Sequence, residues 1–442
     1  MNKKYILFFL FSLLSITISA QSLAEAKALY EKGEYEEAKP AFKKFVKTQP
    51  GNGNYNLWYG VCCLETGDPA EALKHLENAV KRRVPSGQLY LARAYNDLYR
   101  FEDAIETYET YISDLRKRKR STEEAEQLLE KSKSNLRMLK GVEEVCFIDS
   151  FVVDKENFLD AYKISPESGK LFMYDAYFKD SGKEGGTVYE TELGNKLYYS
   201  EMQPDSTLSI LSRNKLLDKW SDGSLLPGSI NEAMNADYPY VLTDGITIYY
   251  ASDGPGSMGE YDIFVTRYNT NTDSYLMPEN VGMPFNSPYN DYMMVFDEVK
   301  GLGWFVSDRF QPEGKACVYL FIPNPEHKRV ESEDIEVKRA RAAITAIRDS
   351  WKESSDYADL IRLSHTEIPY GEKKIEKDFE FIIGNNIVYY KLDDINSPEA
   401  KGYYEKVVAL NKQIKELNEK LDGLRVSYAC LLYTSDAADD LT

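Results

Sequence analysis

With 442 residues the chain is too long for one hydrophobic core, so two or three domains are expected. An apolar fraction of 43% supports folded domains, and a formal charge of −18 repels nucleic acid and anionic headgroups, which excludes nucleic acid as a partner. No later segment holds 18 consecutive apolar residues, so the chain beyond its leader does not read as membrane-spanning.

Residues 1–20 read as a secretory signal. Lys3 and Lys4 form a basic start, Tyr5 to Leu14 an apolar run, and Ile18-Ser19-Ala20 the small residues a signal peptidase needs. No Cys follows, so a lipoprotein anchor is not expected. The protein is therefore read as exported, periplasmic or outer-membrane-associated. Of the five Cys, Cys62 and Cys63 are adjacent on a helix, while Cys146 and Cys317 lie in strands. Their spacing fits neither zinc nor a disulfide framework, so buried free thiols are expected.

Residues 21–141 carry helical periodicity that repeats. Gly33-Glu34-Tyr35-Glu36-Glu37-Ala38 returns as Gly67-Asp68-Pro69-Ala70-Glu71-Ala72, then as Tyr99-Arg100-Phe101-Glu102-Asp103-Ala104. A period near 34 means stacked helical hairpins. Ala38, Ala72 and Ala104 sit where helices cross closely, and Gly33 and Gly67 end helices. Ser22 with Glu25 and Ser121 with Glu124 read as capping boxes, and Asp68 as an N-cap before Pro69. The basic run Arg116–Arg120 reads as a solvated helix end. With Phe42, Leu76 and Tyr108 in the second helices, Gly60 and Ala92 in the first, and Pro50 closing the first repeat, this segment resembles the tetratricopeptide-repeat (TPR) family. Pro69 and Tyr99 depart from its pattern. The resemblance implies a superhelix whose concave groove holds a peptide or protein. By register, the groove residues are Lys27, Tyr30, Asn54, Leu57, Val61, Arg93, Asn96 and Asp97. Arg93 there is a candidate donor to a partner carboxylate.

From about 145 to 325 the period switches to two. Candidate strands include Lys170–Tyr174, Lys196–Ser200, Thr247–Ser252 and Gly303–Ser307. Asp237-Tyr238 leading to Tyr249-Tyr250-Ala251-Ser252-Asp253 is matched about 54 residues later by Asp291-Tyr292 leading to Phe305-Val306-Ser307-Asp308, with an earlier copy at Leu197–Glu201. A several-stranded unit at this period reads as a propeller blade, and at least four blades are expected. Tyr249–Asp253 with Gly259–Ile263 resembles the WD40-like PD40 repeat of TolB-type propellers. Ser252 and Asp253 are expected to bond turn backbone.

Residues 326–395 read as a mixed linker. It holds a helix from about Asp334 to Ser354 and a strand pair, Phe379–Ile383 with Asn386–Leu392, that would close the propeller. Residues 398–429 form a helix with a heptad seam: Val407, Leu410, Ile414, Leu417, Leu421, Leu424 and Tyr428. Residues 430–442, from Cys430 on, resemble a translated sequencing adapter and read as a non-native scar.

Catalytic equipment is sparse. His75, His327 and His365 are not spaced for a metal, and no nucleophile elbow, P-loop or dinucleotide fingerprint occurs. Neither cofactor nor metal is expected; a calcium site at Asp253, Glu260 and Asp262 lacks a ligand-spacing motif. The fold class is multidomain α plus β: a TPR α-solenoid, a β-propeller-like domain, then a C-terminal helical segment. That layout is similar to envelope proteins of the Bacteroidetes type. The expected function is a non-catalytic protein-binding adaptor of the bacterial envelope, with the outer membrane or peptidoglycan nearby. The alternative is a propeller hydrolase or glycan-binding protein.

Overall fold

The computed structural model describes residues 22–179, 181–216, 219–231, 235–352, 355–367, 381–382, 388–389 and 397–439. The signal reading of residues 1–20 lies outside them. The chain divides into two compact units, Met1–Pro369 and Tyr370–Thr442.

The first unit opens with α1 (Leu23–Glu31), α2 (Tyr35–Thr48), α3 (Gly53–Glu65), α4 (Pro69–Lys81), α5 (Gly87–Asp97), α6 (Phe101–Lys117) and α7 (Glu123–Lys140), each packed on the next. Local chemistry sets the starts. Ser22 and Glu25 form the reciprocal capping box, and Asp68 accepts from the Glu71 amide at 3.0 Å with Pro69 in the first turn. The Ser121–Glu124 box does not form; α7 starts one turn position later, after Thr122, with no side-chain cap.

Five helices end in the same turn. At Gly33, Gly67, Arg83, Tyr99 and Lys119 the backbone takes a positive φ, between 55° and 81°. The next amide then bonds back to the helix's third-last carbonyl, as in Glu34 to Leu29 and Arg120 to Leu115. Only two of the five are glycine, so the other three pay the left-handed cost that a Cβ imposes. Ala38, Ala72 and Ala104 are fully buried at the crossings. The crossing at Ala72 is tight: a Cβ on Gly60 would lie 2.9 Å from Leu76 Cδ2 and 3.4 Å from the Ala72 carbonyl oxygen.

The strands follow: β1 (Cys146–Asp154), β2 (Lys170–Met173), β3 (Gly185–Glu190), β4 (Lys196–Met202), β5 (Leu208–Leu216), β6 (Lys219–Trp220), β7 (Ser224–Leu225), β8 (Ala236–Val241), β9 (Thr247–Ser252), β10 (Asp262–Asn269), β11 (Ser274–Tyr275), β12 (Glu279–Asn280), β13 (Asp291–Asp297), β14 (Leu302–Ser307) and β15 (Lys315–Ile322). Within this region the described residues form three antiparallel sheets. The first runs β2-β3-β4-β5-β6 with β7 on β5, the second β11-β10-β9-β8 with β12 on β10, and the third β1-β15-β14-β13. The third sheet is completed by β1, the strand that begins the region, paired along its length with β15. The closure differs from the one expected from the sequence: β1 completes the third sheet, Phe381–Ile382 pairs with Val388–Tyr389 while the rest of that expected strand pair lies outside the described residues, and three sheets stand among the described residues of the region where four blades were expected.

Tyrosine hydroxyls stitch the sheets together. Tyr189 Oη donates to the Val241 carbonyl at 3.0 Å, Tyr240 Oη to the Phe296 carbonyl, and Tyr162 Oη to the Met293 carbonyl at 2.6 Å. Each of these three buries an aromatic body while placing its polar end on backbone.

The second and third sheets share a side-chain clamp. Asp253 accepts from the backbone and side-chain amides of Asn235 at 2.8 and 2.7 Å; Asp308 does the same for Asn290 at 2.8 and 3.0 Å. The equivalents are therefore Asn235 and Asn290, with bulges at Tyr238 and Met293, both at positive φ. Asp237-Tyr238 and Asp291-Tyr292, aligned by sequence, are one residue out of step. Ser252 Oγ bonds the Asn235 carbonyl at 2.9 Å, the turn role read from the sequence.

The helix expected over 334–354 is shorter. It spans Ile335–Ala343 and stops at Ile344, whose φ of 52° turns the chain into a 3-10 segment, Ile347–Ser350. Arg309 is fully buried and ties this helix to the third sheet. It pairs with Asp291 at 2.7 Å and donates to the carbonyls of Pro284, Phe285 and Ala342. In the second unit a helix runs Pro398–Asp439 without a break at 429.

Candidate functional site

The helical array and the sheets are joined within the first unit, and this junction decides which groove residues remain open. Tyr99 is fully buried, with its ring 5.8 Å from Phe101 and 6.3 Å from Phe310. Arg339 Nε donates to the Tyr99 carbonyl at 2.9 Å, and Lys131 Nζ to the Gly259 carbonyl at 2.6 Å. Tyr99 stands where the repeat pattern has Gly, and its strained backbone is held by this packing.

The junction takes Asn96 and Asp97 out of the groove. Asn96 Oδ1 accepts from Ser132 Oγ at 3.2 Å and Asn135 Nδ2 at 3.3 Å, both on α7. The Asp97 carbonyl accepts from Tyr289 Oη at 3.4 Å, and burial pushes its carboxyl up to about 7, against the pull of Arg93. Val61 is fully buried in the helical core. Arg93, expected as a free donor, holds Glu65 at 2.8 Å and lies over the Tyr90 ring at 5.5 Å. Lys27 lies 4.3 Å over Trp58, and Tyr30 packs edge-on against Tyr35 and Phe42, where burial raises its hydroxyl pKa. These residues are explained by packing and internal pairing.

Asn54 and Leu57 differ. They wall a concavity of about 380 Å³ together with Val84, Gln88, Tyr111, Leu115, Arg118 and Arg120. Leu57 is buried at its floor and Asn54 is exposed at its rim. The turn that ends α6 places the arginines: Arg118 is its cap, Lys119 takes the positive φ, and Arg120 follows. Their neighbours are paired, Arg116 with Glu126 at 2.7 Å and Lys117 with Asp114 at 3.2 Å, whereas Arg118 and Arg120 make no ion pair among the described residues. The result is a concavity of mixed polar and apolar lining that holds two guanidinium groups and one carboxylate, Asp114, which is paired with Lys117, in a chain of net charge −18. Such a site suits a peptide carrying a carboxylate, which guanidinium binds in a forked geometry.

Other sequence candidates are occupied. Asp262 is fully buried and its oxygens accept from the amides of Met258 and Gly259 and from Asn280 Nδ2, so it does not join Asp253 and Glu260 around a cation. Among the described residues no group of His, Cys, Asp or Glu is arranged to hold a metal. Cys62 and Cys63 are buried free thiols pushed up to about 12 and about 11 by desolvation, which makes them poor nucleophiles. No helix among the described residues is long and apolar enough to cross a membrane.

Residues 23–74 and 64–122 match the tetratricopeptide repeat family, so α1 to α6 are repeats of that protein-binding class. No curated protein matches the chain.

Proposed function

We propose that the protein is an adaptor of the bacterial cell envelope, and that its helical array holds a carboxylate-bearing segment of a partner protein in the Asn54–Arg118 concavity. The observation that carries this is the pair of guanidinium groups, without an ion pair among the described residues, lining a concavity with Leu57, Val84, Leu115 and Tyr111 in an array of tetratricopeptide repeats. The basic, apolar and small-residue order of residues 3–20 supports export. The repeated Asn–Asp clamps and the β1 closure support reading the three sheets as PD40-type blades, a second rigid surface for assembly.

The role is non-catalytic in this reading. A propeller hydrolase would place carboxylates in a central cavity. Where segment 155–162 meets the second and third sheets, Phe158, Tyr162, Tyr238 and Tyr292 pack together, and the carboxylate beside them, Asp308, is held by Lys155 Nζ at 3.0 Å, Tyr292 Oη at 3.1 Å and Asn290.

In-cell crosslinking of the wild type and of Arg118→Glu/Arg120→Glu, followed by fractionation and mass spectrometry, tests the proposal. The wild type should appear in the envelope fraction with a defined partner set. The variant, changed only at exposed positions, should stay folded and lose crosslinked yield by about tenfold. An unchanged partner set, or a wild type found outside the envelope, would overturn it.

A further inference from the structure

Among the described residues the apolar seam of helix Pro398–Asp439 is exposed. Val407, Leu410, Ile414, Leu417, Leu421 and Leu424 are between 45% and 67% exposed. Water does not favour six large apolar side chains in one stripe unless something covers them. The steps of three and four place Val407, Ile414 and Leu421 at the a positions of a heptad, and Leu410, Leu417 and Leu424 at d. Two of the three a residues, Val407 and Ile414, are β-branched and every d residue is leucine, the pattern that favours a parallel two-stranded coiled coil.

The flanking positions say which kind of strand comes second. By register the g positions are Lys406, Gln413 and Lys420, and the e positions Asn411, Asn418 and Arg425. None is acidic, in a chain with 72 Asp and Glu. Between Val407 and Leu424 the carboxylates are elsewhere: Glu416 at c, Glu419 at f and Asp422 at b, all outer positions, while Glu399 at g precedes the seam. A second copy is a poor match. In a parallel pair Lys420 of one copy would meet Arg425 of the other, and Lys406 and Gln413 would meet amides, so along Val407–Leu424 a parallel pair of two copies has no attractive flanking pair.

We infer that this helix is one strand of a heterotypic coiled coil, whose other strand is a helix of a different protein with an apolar a/d seam and acidic e and g positions. Such a partner would set acidic side chains against Lys406, Lys420 and Arg425 while covering the leucines. This surface is separate from the Asn54–Arg118 concavity, and its failure would leave the adaptor reading standing.

The test uses the full chain and two labelled synthetic 28-residue peptides with Ile at a and Leu at d. One carries Glu at every e and g position, the other Lys. Fluorescence anisotropy should give binding of the Glu peptide at least about tenfold tighter than the Lys peptide, weakening with salt. The variant Lys406→Glu/Lys420→Glu/Arg425→Glu keeps the seam and should invert the preference. Leu417→Lys should abolish binding of both. Equal binding of the two peptides, no inversion, or survival of binding in Leu417→Lys would overturn the inference. So would sedimentation of the chain alone as a dimer that Leu417→Lys dissolves and the Glu peptide does not.

Discussion

The helical array and the sheet region solve the same packing problem with different parts. In the array, neighbours in space are neighbours in sequence, and register is set by absence: Ala38, Ala72, Ala104 and Gly60 leave room for backbones to approach. In the sheet region, register is set by presence. Buried Asp, Asn and Tyr side chains reach between sheets, and Asp237 alone accepts from the Thr187 amide and hydroxyl, from Ser200 Oγ and from the Tyr238 amide. The contrast teaches where each half is fragile. Steric register tolerates polar change on the outside but not added volume at a crossing. Polar register tolerates little loss of a partner, because the group left behind stays buried.

The largest test of this contrast is Arg309→Leu. It strands the Asp291 carboxylate, whose pKa burial already raises, and leaves the Pro284 and Phe285 carbonyls without a donor. Breaking one half of a buried pair should cost about 3–5 kcal/mol in a denaturant melt. Hydrogen exchange should locate the loss in β13–β15 and not in α1–α6. A loss under about 1 kcal/mol would mean that the buried pair does not set the sheet's register.

Ala72→Leu is the counterpart in the array. Overpacking the α3–α4 crossing should cost about 1–3 kcal/mol, with exchange rising in α2–α5 while the sheets stay protected. If exchange rises equally in both regions, the two are a single cooperative body and the contrast fails.

A pH-dependent effect belongs to the border. Asp97 titrates near 3.9 in an unfolded chain and near about 7 in the fold, so ionisation is harder when folded. Its contribution to stability is full below about pH 4 and is lost as pH rises to about 7. Asp97→Asn should therefore gain on the wild type progressively as pH rises from 4 to 8. A gain that does not grow with pH would mean that Arg93 and Lys131 hold the carboxylate charged.

Much of the array was legible because its signals are local. Ser22 with Glu25, Asp68 before Pro69, and Gly33 and Gly67 each act within one turn. The matching turns at Arg83, Tyr99 and Lys119 gave no such signal, since tertiary packing or the next helix imposes the left-handed residue. The same gap hid the pocket. Arg118 and Arg120 read as a solvated helix end until the turn at Lys119 brought them beside Tyr111 and Asn54. Val61, Asn96 and Asp97 fell on the groove face by register, but only the docking of α7 and the sheets decides what stays open. In the sheet region the repeat was visible and its phase was not, because a bulge at Tyr238 and another at Met293 shift the pairing without changing composition.

The pairing of β1 with β15 has a consequence for how the molecule is made. Asp154 and Lys315 bond across 161 residues, so the first strand of the sheet region leaves the ribosome long before its partner exists. The array can form from short-range contacts as it emerges, whereas the third sheet must wait for nearly the whole region. Until then β1 is an unpaired edge, rich in Val and Phe, of the kind that joins other chains. A chain interrupted before Ile322 would keep a folded array attached to an adhesive strand, so chaperone demand should fall on this interval and not on the helices before it.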